Sequence, residues 1–385
     1  QTGASAKDVI LEVLRQLSVK GGVGRIIEYY GEGIKSLSVS ERGVITNMGA
    51  ELGATTSVFP SDENTLKFLK AQQREQDYIP LQADPGCTYS KTITIDLSAL
   101  EPLAACPHSP DNVKTVSELA GKKVSQICVG SCTNSSYEDL MAVANVLKGK
   151  TIHQDVSFAV SPGSRQVLDM LSKSGGLSAL LNAGARILEC GCGPCIGMGQ
   201  SPNSAGVSLR TFNRNFKGRS GTTDAEVYLV SPETAAVSAI EGVIASPLGK
   251  IAAKTEEPTQ YPINDNLFVK PSCDKSKPIV KGPNIKPFPK ASVPGSTLKA
   301  TVATKLGDNI TTDDIMPSNA KLLPYRSNIE YLSEYCLKPV DPQFAAKAKA
   351  LNGSIIVGGQ NYGQGSSREH AALAPLYLGV KAVLA

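Results

Sequence analysis

The sequence predicts an α/β protein built on a parallel sheet with helices on its faces. Two observations carry this reading. Between about residues 116 and 244, short apolar runs rich in β-branched residues alternate with helical patterns, and the runs end in loops of Gly, Ser, Thr, Asn or Pro. The stretch 253–295 then holds eight of the 24 prolines, interleaved with lysines. It reads as an extended, semi-rigid linker to a further strand-bearing segment.

The elements follow in order. Ser5-Ala6-Lys7-Asp8 reads as a capping box with Asp in place of Glu. Ile10, Val13, Leu14 and Leu17 continue at helical spacing until Gly21-Gly22 stop the helix. Residues 25–30 are predicted as a strand and 44–51 as a helix entering a Gly/Thr-rich loop. Strands are then expected at 123–129, 156–160, 185–190, 207–212 and 226–230. Helices are expected at 137–147, 165–172 and 234–244, the last opened by Ser231-Pro232. After the linker, residues 301–305, 354–357 and 382–384 read as strands. The predicted organisation is an α/β domain over 1–115, a second over 116–252, the linker 253–295 and a last domain over 296–385.

Composition narrows the function. A chain of 385 residues, 41% hydrophobic and 19% charged, is globular and large enough for two or three domains. Its net charge, 39 − 35 = +4, and the lack of a basic-aromatic stripe argue against a nucleic-acid partner. No apolar run reaches the length of a membrane span, and no basic-then-apolar leader opens the chain. Nine cysteines, an odd number, point to a reducing compartment, the cytoplasm or a mitochondrial matrix, and to thiols with a use other than disulfides. With three His, a histidine-rich metal site is not expected. The start at Gln1-Thr2-Gly3 and the apolar run 380–385 at the other end read as a piece of a longer protein.

Ligands of an open parallel sheet bind at the carboxyl ends of its strands. Cys132 follows one predicted strand, Cys192 and Cys195 a second, and Arg214 and Arg219 a third. Cys192-x-x-Cys195 alone also fits a thioredoxin-like dithiol. A third loop thiol, Cys132 in Gly130-Ser131-Cys132-Thr133-Asn134-Ser135-Ser136, changes the count. Three thiolates without a nearby His suit an iron–sulfur cluster with one iron that protein does not ligate, the open position that Lewis-acid catalysis needs. Cys128 and Cys190, inside predicted strands, read as structural, and Cys87, Cys106, Cys273 and Cys336 stand in no ligand spacing. Two arginines in 213–219 point to a small polyanion held by bidentate contacts, a solvated basic loop being the rival reading. Asn47 and Glu51, four apart on a predicted helix, share one face, which an ordinary exposed face also explains. Gly363-Gln364-Gly365-Ser366-Ser367-Arg368-Glu369-His370 offers backbone N–H groups to an anion or simply caps a helix, and it lacks the Gly-Lys-Ser/Thr of a phosphate loop.

Together these motifs resemble the aconitase family of iron–sulfur hydro-lyases. The resemblance lies in Asn47 to Ser57, Gly130 to Ser135, Cys192-Gly193-Pro194-Cys195-Ile196-Gly197, Asn213-Arg214-Asn215-Phe216-x-Gly218-Arg219, Thr311-Thr312-Asp313 and Asn361 to His370, in family order. It implies parallel-sheet α/β domains followed by a linker-joined swivelling domain. It also implies a [4Fe–4S] cluster on Cys132, Cys192 and Cys195. Glu51 would handle the proton on the hydroxyl, and Asn47 and Asn213 would orient the cluster. Arg214, Arg219, Arg326 and Arg368 would grip carboxylates. Ser366 would be the base, with Ser367 beside it, and Asp313 would support the site from the last domain. The family also has a first domain with catalytic His and Asp residues, which nothing here matches, and a longer final segment, so the resemblance implies an incomplete catalytic set.

The implied activity is that of an aconitate hydratase of the tricarboxylic acid cycle, a monomer interconverting citrate and isocitrate through cis-aconitate. Isopropylmalate isomerase and homoaconitase are the alternatives within the superfamily. Arg326 favours a third carboxylate over a branched apolar substituent. Outside the enzyme class stand an RNA-binding protein without a cluster, and a dithiol oxidoreductase using Cys192 and Cys195.

Overall fold

The computed structural model describes residues 3–251, 255–293, 295–319 and 321–385. Gln1 and Thr2, and positions 253, 254 and 294 of the predicted linker, lie outside the described residues. The chain forms two compact units, Gln1–Phe268 and Val269–Ala385.

In the first unit, α1 (Ala6–Leu17) opens on Ser5, whose side chain accepts from Lys7 N–H while Asp8 closes the capping box. The helix ends earlier than Gly21. Ser18 takes φ +63°, and Val19 N–H donates to Asp111 Oδ2 at 3.0 Å, which draws the chain off the helix axis. Strand β1 (Ile26–Glu28), α2 (Val39–Met48), β2 (Thr56–Val58) and α3 (Glu63–Ala71) follow, with β1 and β2 paired in parallel.

The main sheet has seven strands. In chain order they are β3 (Leu103–Ala105), β4 (Val113–Thr115), β5 (Gln126–Gly130), β6 (Ser157–Ser161), β7 (Arg186–Ile187), β8 (Val207–Arg210) and β9 (Glu226–Leu229). Their spatial order is β4-β3-β9-β8-β5-β6-β7. The five from β9 to β7 are parallel, whereas β3 runs antiparallel to β9 and β4 antiparallel to β3. The sheet is thus assembled across position 115, from residues on both sides of it. Helix α4 (Tyr137–Leu147) connects β5 to β6, α5 (Arg165–Lys173) and α6 (Gly176–Ala183) connect β6 to β7, and α7 (Pro232–Glu241) follows β9.

One face of the sheet packs Ile127, Val129, Phe158 and Leu209 against Leu140, Val143 and Leu147 of α4 and the alanines of α7. The other face places Cys128 and Ala159 with Phe212 and Cys195. The alternation along β5 therefore gives Cys128 a packing role, as its strand position predicts. Helix α1 covers the β3 end, with Ile10 and Leu14 packed near Leu103 and Ala105, and Leu103 N–H donating to Asp8 Oδ1 at 2.8 Å.

Predicted boundaries move in the main-sheet region as well. The strand expected at 185–190 is only Arg186–Ile187, so Cys190 lies in the loop after it. The Ser161 hydroxyl donates to the carbonyls of Glu189 and Gly191, both at 3.1 Å, and the chain leaves the ladder there. Helix α7 stops at Glu241, because Gly242 takes a left-handed cap at φ +72°.

Within 255–268, Tyr261 is buried with Ala71 and Met170, and its N–H donates to Ala71 O at 2.9 Å. The described residues from 269 to 293 form no helix or strand. The second unit carries β10 (Thr301–Lys305), α8 (Thr312–Ile315), α9 (Ile329–Ser333), α10 (Phe344–Leu351), β11 (Ser354–Val357), α11 (Glu369–Tyr377) and β12 (Val380–Leu384). Its three strands are parallel in the order β10-β11-β12, over a core that includes Met316, Phe344, Ile356 and Ala374. The protein is thus a mixed α/β chain with parallel-rich sheets. Among the described residues, no helix is long and apolar enough to cross a membrane.

Glu233, in the first turn of α7, lines a cavity of about 830 Å³ with Glu41, Glu138 and Asp139. Burial pushes its carboxyl from 4.5 up to about 8, and Asp8, Asp139 and Glu41 add repulsion. Through that window the folded chain keeps a proton that the unfolded chain has released, so this group costs stability increasingly as pH rises. Glu233→Gln removes the cost. The stability gained by the variant is expected to grow from pH 4.5 to about 8 and to level off above it, in urea unfolding measured across that range.

Candidate active site

The site in the first unit is built where parallel strands end. Gly130, the last residue of β5, takes φ +115°, and a Cβ there would lie 1.9 Å from Ser161 O on β6. Only glycine permits this exit. It delivers Cys132 to the surface, with Sγ 3.9 Å from Asn47 Oδ1. Asn47, on α2, donates from Nδ2 to Cys132 O at 3.3 Å. Asn213, beyond β8, donates to Asn47 Oδ1, and the Thr133 hydroxyl donates to Asn213 Oδ1. The two asparagines and Thr133 thus tie three chain segments around one thiol.

Cys192 caps the 3₁₀ turn Gly193–Ile196, and Cys195 lies within it. The turn closes at Gly197, φ +84°, where a Cβ would stand 2.1 Å from Ser220 O. Cys192 is exposed, Cys195 is buried, and Arg219 Nη2 lies 3.7 Å from Cys195 Sγ. The Cys192 thiol donates to Cys195, which lowers the Cys195 pKa below the ordinary thiol value; Arg219 and Arg214 lower it further. The same bond raises Cys192, and burial and the charges of Cys195 and Cys132 raise it more. The three thiols therefore share one electrostatic environment. None of the nine cysteines forms a disulfide.

Glu51 does not share a regular helix with Asn47. Helix α2 ends at Met48, and Glu51 sits in the 3₁₀ turn Gly49–Leu52 that follows. Its side chain, 2% exposed, forms an ion pair with Arg214, Oε1 standing 2.9 Å from Nε. Burial raises the Glu51 carboxyl, and Arg214 and then Arg219 oppose the rise. Contacts join Asn47, Cys132 and Asn213, join Glu51 to Arg214, and join Cys195 to Arg219, and electrostatic coupling of Cys132 with Cys192 and of Glu51 with Arg219 and Cys195 relates these groups.

The donor set fits an iron–sulfur cluster. It comprises three soft thiol ligands and two guanidinium groups beside them to balance thiolate charge. Among the described residues, no group of three or more His, Cys, Asp and Glu is arranged for a single metal ion.

In the second unit, Thr311 caps α8 and pairs with Gln364, which brings the 363–368 loop alongside it. Asp313 Oδ1 meets Arg368 Nη2 at 2.7 Å, and Arg368 Nη1 donates to Met316 O at 3.1 Å. Arg326 is exposed, with Nη2 3.5 Å from Ser318 Oγ. Burial lowers the His370 pKa, and the charges of Arg368 and then Arg326 lower it further. Ser366 is half-buried and Ser367 exposed.

The sequence reading missed two buried cations. Lys7 is wholly buried and donates to the carbonyls of Thr211 and Phe212 at 3.0 and 2.7 Å, next to Asn213. Nothing local marks it, since its partners stand 204 and 205 positions away. Arg210, by contrast, left a signal: it is a charge in the middle of the strand predicted at 207–212.

Residues 1–123 and 112–242 match the aconitase family (aconitate hydratase), and residues 309–385 match the aconitase C-terminal domain. The chain belongs to the aconitase family. Among its relatives, the 3-isopropylmalate dehydratase large subunit 2 of Archaeoglobus fulgidus is 43% identical over 246 residues, 64% of this chain and 59% of that protein. The mitochondrial homoaconitase of Yarrowia lipolytica is 34% identical over an alignment of 410 positions, 100% of this chain and 58% of that protein. The chain thus spans about 59% of the length of these aconitase-family relatives.

Gly130→Ala places a methyl group into Ser161 O and forces a residue with a side chain to φ +115°. It is expected to cost about 3 kcal/mol in urea unfolding, through clash and backbone strain.

Proposed function

We propose that this chain carries the cluster-binding and carboxylate-gripping residues of a hydro-lyase acting on a homoaconitate-type tricarboxylate. The observation that carries the reading is the convergence of Cys132, Cys192 and Cys195 with Arg219 and the buried Arg214–Glu51 pair.

A [4Fe–4S] cluster held by the three thiolates supplies Lewis acidity at the iron that protein leaves unligated. Glu51 is buried enough to hold a proton and is oriented by Arg214, which suits it to exchange one with the substrate hydroxyl. Arg214 and Arg219 lower the cost of bringing carboxylates beside thiolates. Asn47 and Asn213 orient the Cys132 segment. In the second unit, Asp313 fixes Arg368, which with Arg326 grips further carboxylates, and Ser366, next to Ser367, takes the carbon-bound proton.

Two observations bear on the substrate. Arg326 carries a planar fork that suits a third carboxylate better than a branched alkyl group, which favours a tricarboxylate over 3-isopropylmalate. The homoaconitase match also runs over the whole chain, whereas the dehydratase match covers 64% of it. A 3-isopropylmalate substrate is the second reading, favoured by that relative's 43% identity.

Cys132→Ser, Cys192→Ser and Cys195→Ser are each expected to abolish cluster retention after anaerobic reconstitution, read by iron content and visible absorbance, while Cys128→Ser and Cys273→Ser leave it intact. A cluster retained by Cys132→Ser would overturn the ligand assignment.

Substrate choice is tested by anaerobic kinetics of the full-length protein with homoaconitate, cis-aconitate and 3-isopropylmalate. Arg326→Lys keeps the charge but loses the planar fork, and should cost about 2–5 kcal/mol in kcat/KM for the tricarboxylate with an unchanged cluster spectrum. Ser366→Ala should collapse kcat with little change in KM. Preference of the parent for 3-isopropylmalate, or an Arg326→Lys variant with parental kinetics, would replace the tricarboxylate reading.

A further inference from the structure

Arg210 is the last residue of β8, and its side chain is wholly buried. Its guanidinium donates to Pro194 O at 2.6 Å, Gln200 O at 2.7 Å, Gln126 Oε1 at 2.8 Å and Ser208 Oγ at 3.1 Å. Gln126 reinforces the arrangement: its Oε1 accepts the Ser208 hydroxyl at 2.9 Å, and its Nε2 donates to Gln200 O at 3.3 Å. Pro194 and Gln200 stand on either side of Cys195 in the chain. One rigid fork therefore closes the Cys192–Cys195 loop from both sides and fastens it to β5 and β8.

The charge is the unusual part. Burying a cation carries a large desolvation cost, normally offset by a carboxylate. Among the described residues no carboxylate pairs with Arg210, and its ionisable neighbours are the Cys128 and Cys195 thiols. Neutral carbonyls, an amide and a hydroxyl satisfy its donors, and the Phe212 ring faces the cation with its centroid 5.6 Å from Cζ, but none of these carries a countercharge. A cluster on three thiolates is anionic and stands beside this same loop. Packing alone calls for an apolar side chain at this strand position, so the arginine needs an electrostatic reason.

We propose that Arg210 is a positioning residue for the cluster: it clamps the loop around Cys195 before iron and sulfide arrive, and is a fixed countercharge to the anionic centre they form. The countercharge half rests on the cluster reading above. The clamp half stands on the hydrogen bonds alone.

The test uses the full-length protein and three variants: Arg210→Lys keeps the charge, Arg210→Gln keeps donors without charge, and Arg210→Met removes both. Hydrogen–deuterium exchange of amides 191–200 is measured before reconstitution. Arg210→Met should exchange there roughly tenfold faster than the parent, with amides of the second unit unchanged. After reconstitution, iron retention and the cluster midpoint potential are measured. Loss of a nearby positive charge stabilises the oxidised cluster, so the potential should fall in Arg210→Gln and remain near the parent value in Arg210→Lys.

Parental exchange in Arg210→Met removes the clamp, and a parental potential in Arg210→Gln removes the countercharge. Either result overturns the proposal. If Arg210→Met does not fold by far-UV circular dichroism, exchange in Arg210→Gln decides the clamp, with the same tenfold expectation. Failure of all three to fold, the lysine variant included, assigns Arg210 to general stability and overturns it as well. If the parent itself takes up no iron and sulfide, the cluster reading fails, while the exchange measurement still judges the clamp.

Discussion

The close approach of β5 to β6 at Gly130 governs the first unit's site. A parallel strand must leave its sheet before its backbone can meet a ligand, and here it leaves against a carbonyl that no Cβ could face. The turn that follows sets Cys132 opposite Asn47. The Cys192–Cys195 loop repeats the solution at Gly197 against Ser220 O. Close backbone approach thus shapes both thiol loops, with the Arg210 side chain fastening the second.

Around the thiols the protein concentrates positive charge. Lys7 and Arg210 are wholly buried, and Arg214 and Arg219 stand closer to the sulfur atoms and to Glu51. The two deepest cations act largely on backbone carbonyls, Lys7 at the exit of β8 and Arg210 across the cysteine loop. Negative charge reaches the same region, since Cys132, Asp139, Asp8 and Glu51 all act on Lys7. Glu41, Glu138, Asp139 and Glu233 share the cavity beside α4 and α7, where burial raises Glu138, Asp139 and Glu233. The concentration of cations around the thiols suits them to thiolate and carboxylate chemistry within a chain whose net charge is small.

Arg368 in the second unit uses a related device. Asp313 and the Met316 carbonyl hold its guanidinium in one orientation, so little rotational freedom remains to be lost when it meets a carboxylate. Arg326 is exposed and more lightly held. A side chain with that freedom suits the recognition of a substituent that differs between related substrates.

Local chemistry made much of this readable in the sequence. The capping box at Ser5, the helix at 137–147 and the strand at 301–305 depend on neighbours within a few positions, and each has the expected start. The three thiols and the arginines of 213–219 were legible because their loops follow apolar strands and the topology of parallel sheets brings such loops to one edge. Tertiary structure decided the rest. Strands β3 and β4 are three residues each, too short for a periodicity, and exist because β9 and α1 offer partners. The shortening of β7 comes from a Ser161 hydroxyl nearly thirty positions away. Lys7 and Arg210 acquire their roles only when carbonyls remote in the chain, or turned back from a neighbouring loop, arrive beside them. A sequence displays residue types and spacings, whereas the cost of burying a charge depends on which groups the completed fold places around it.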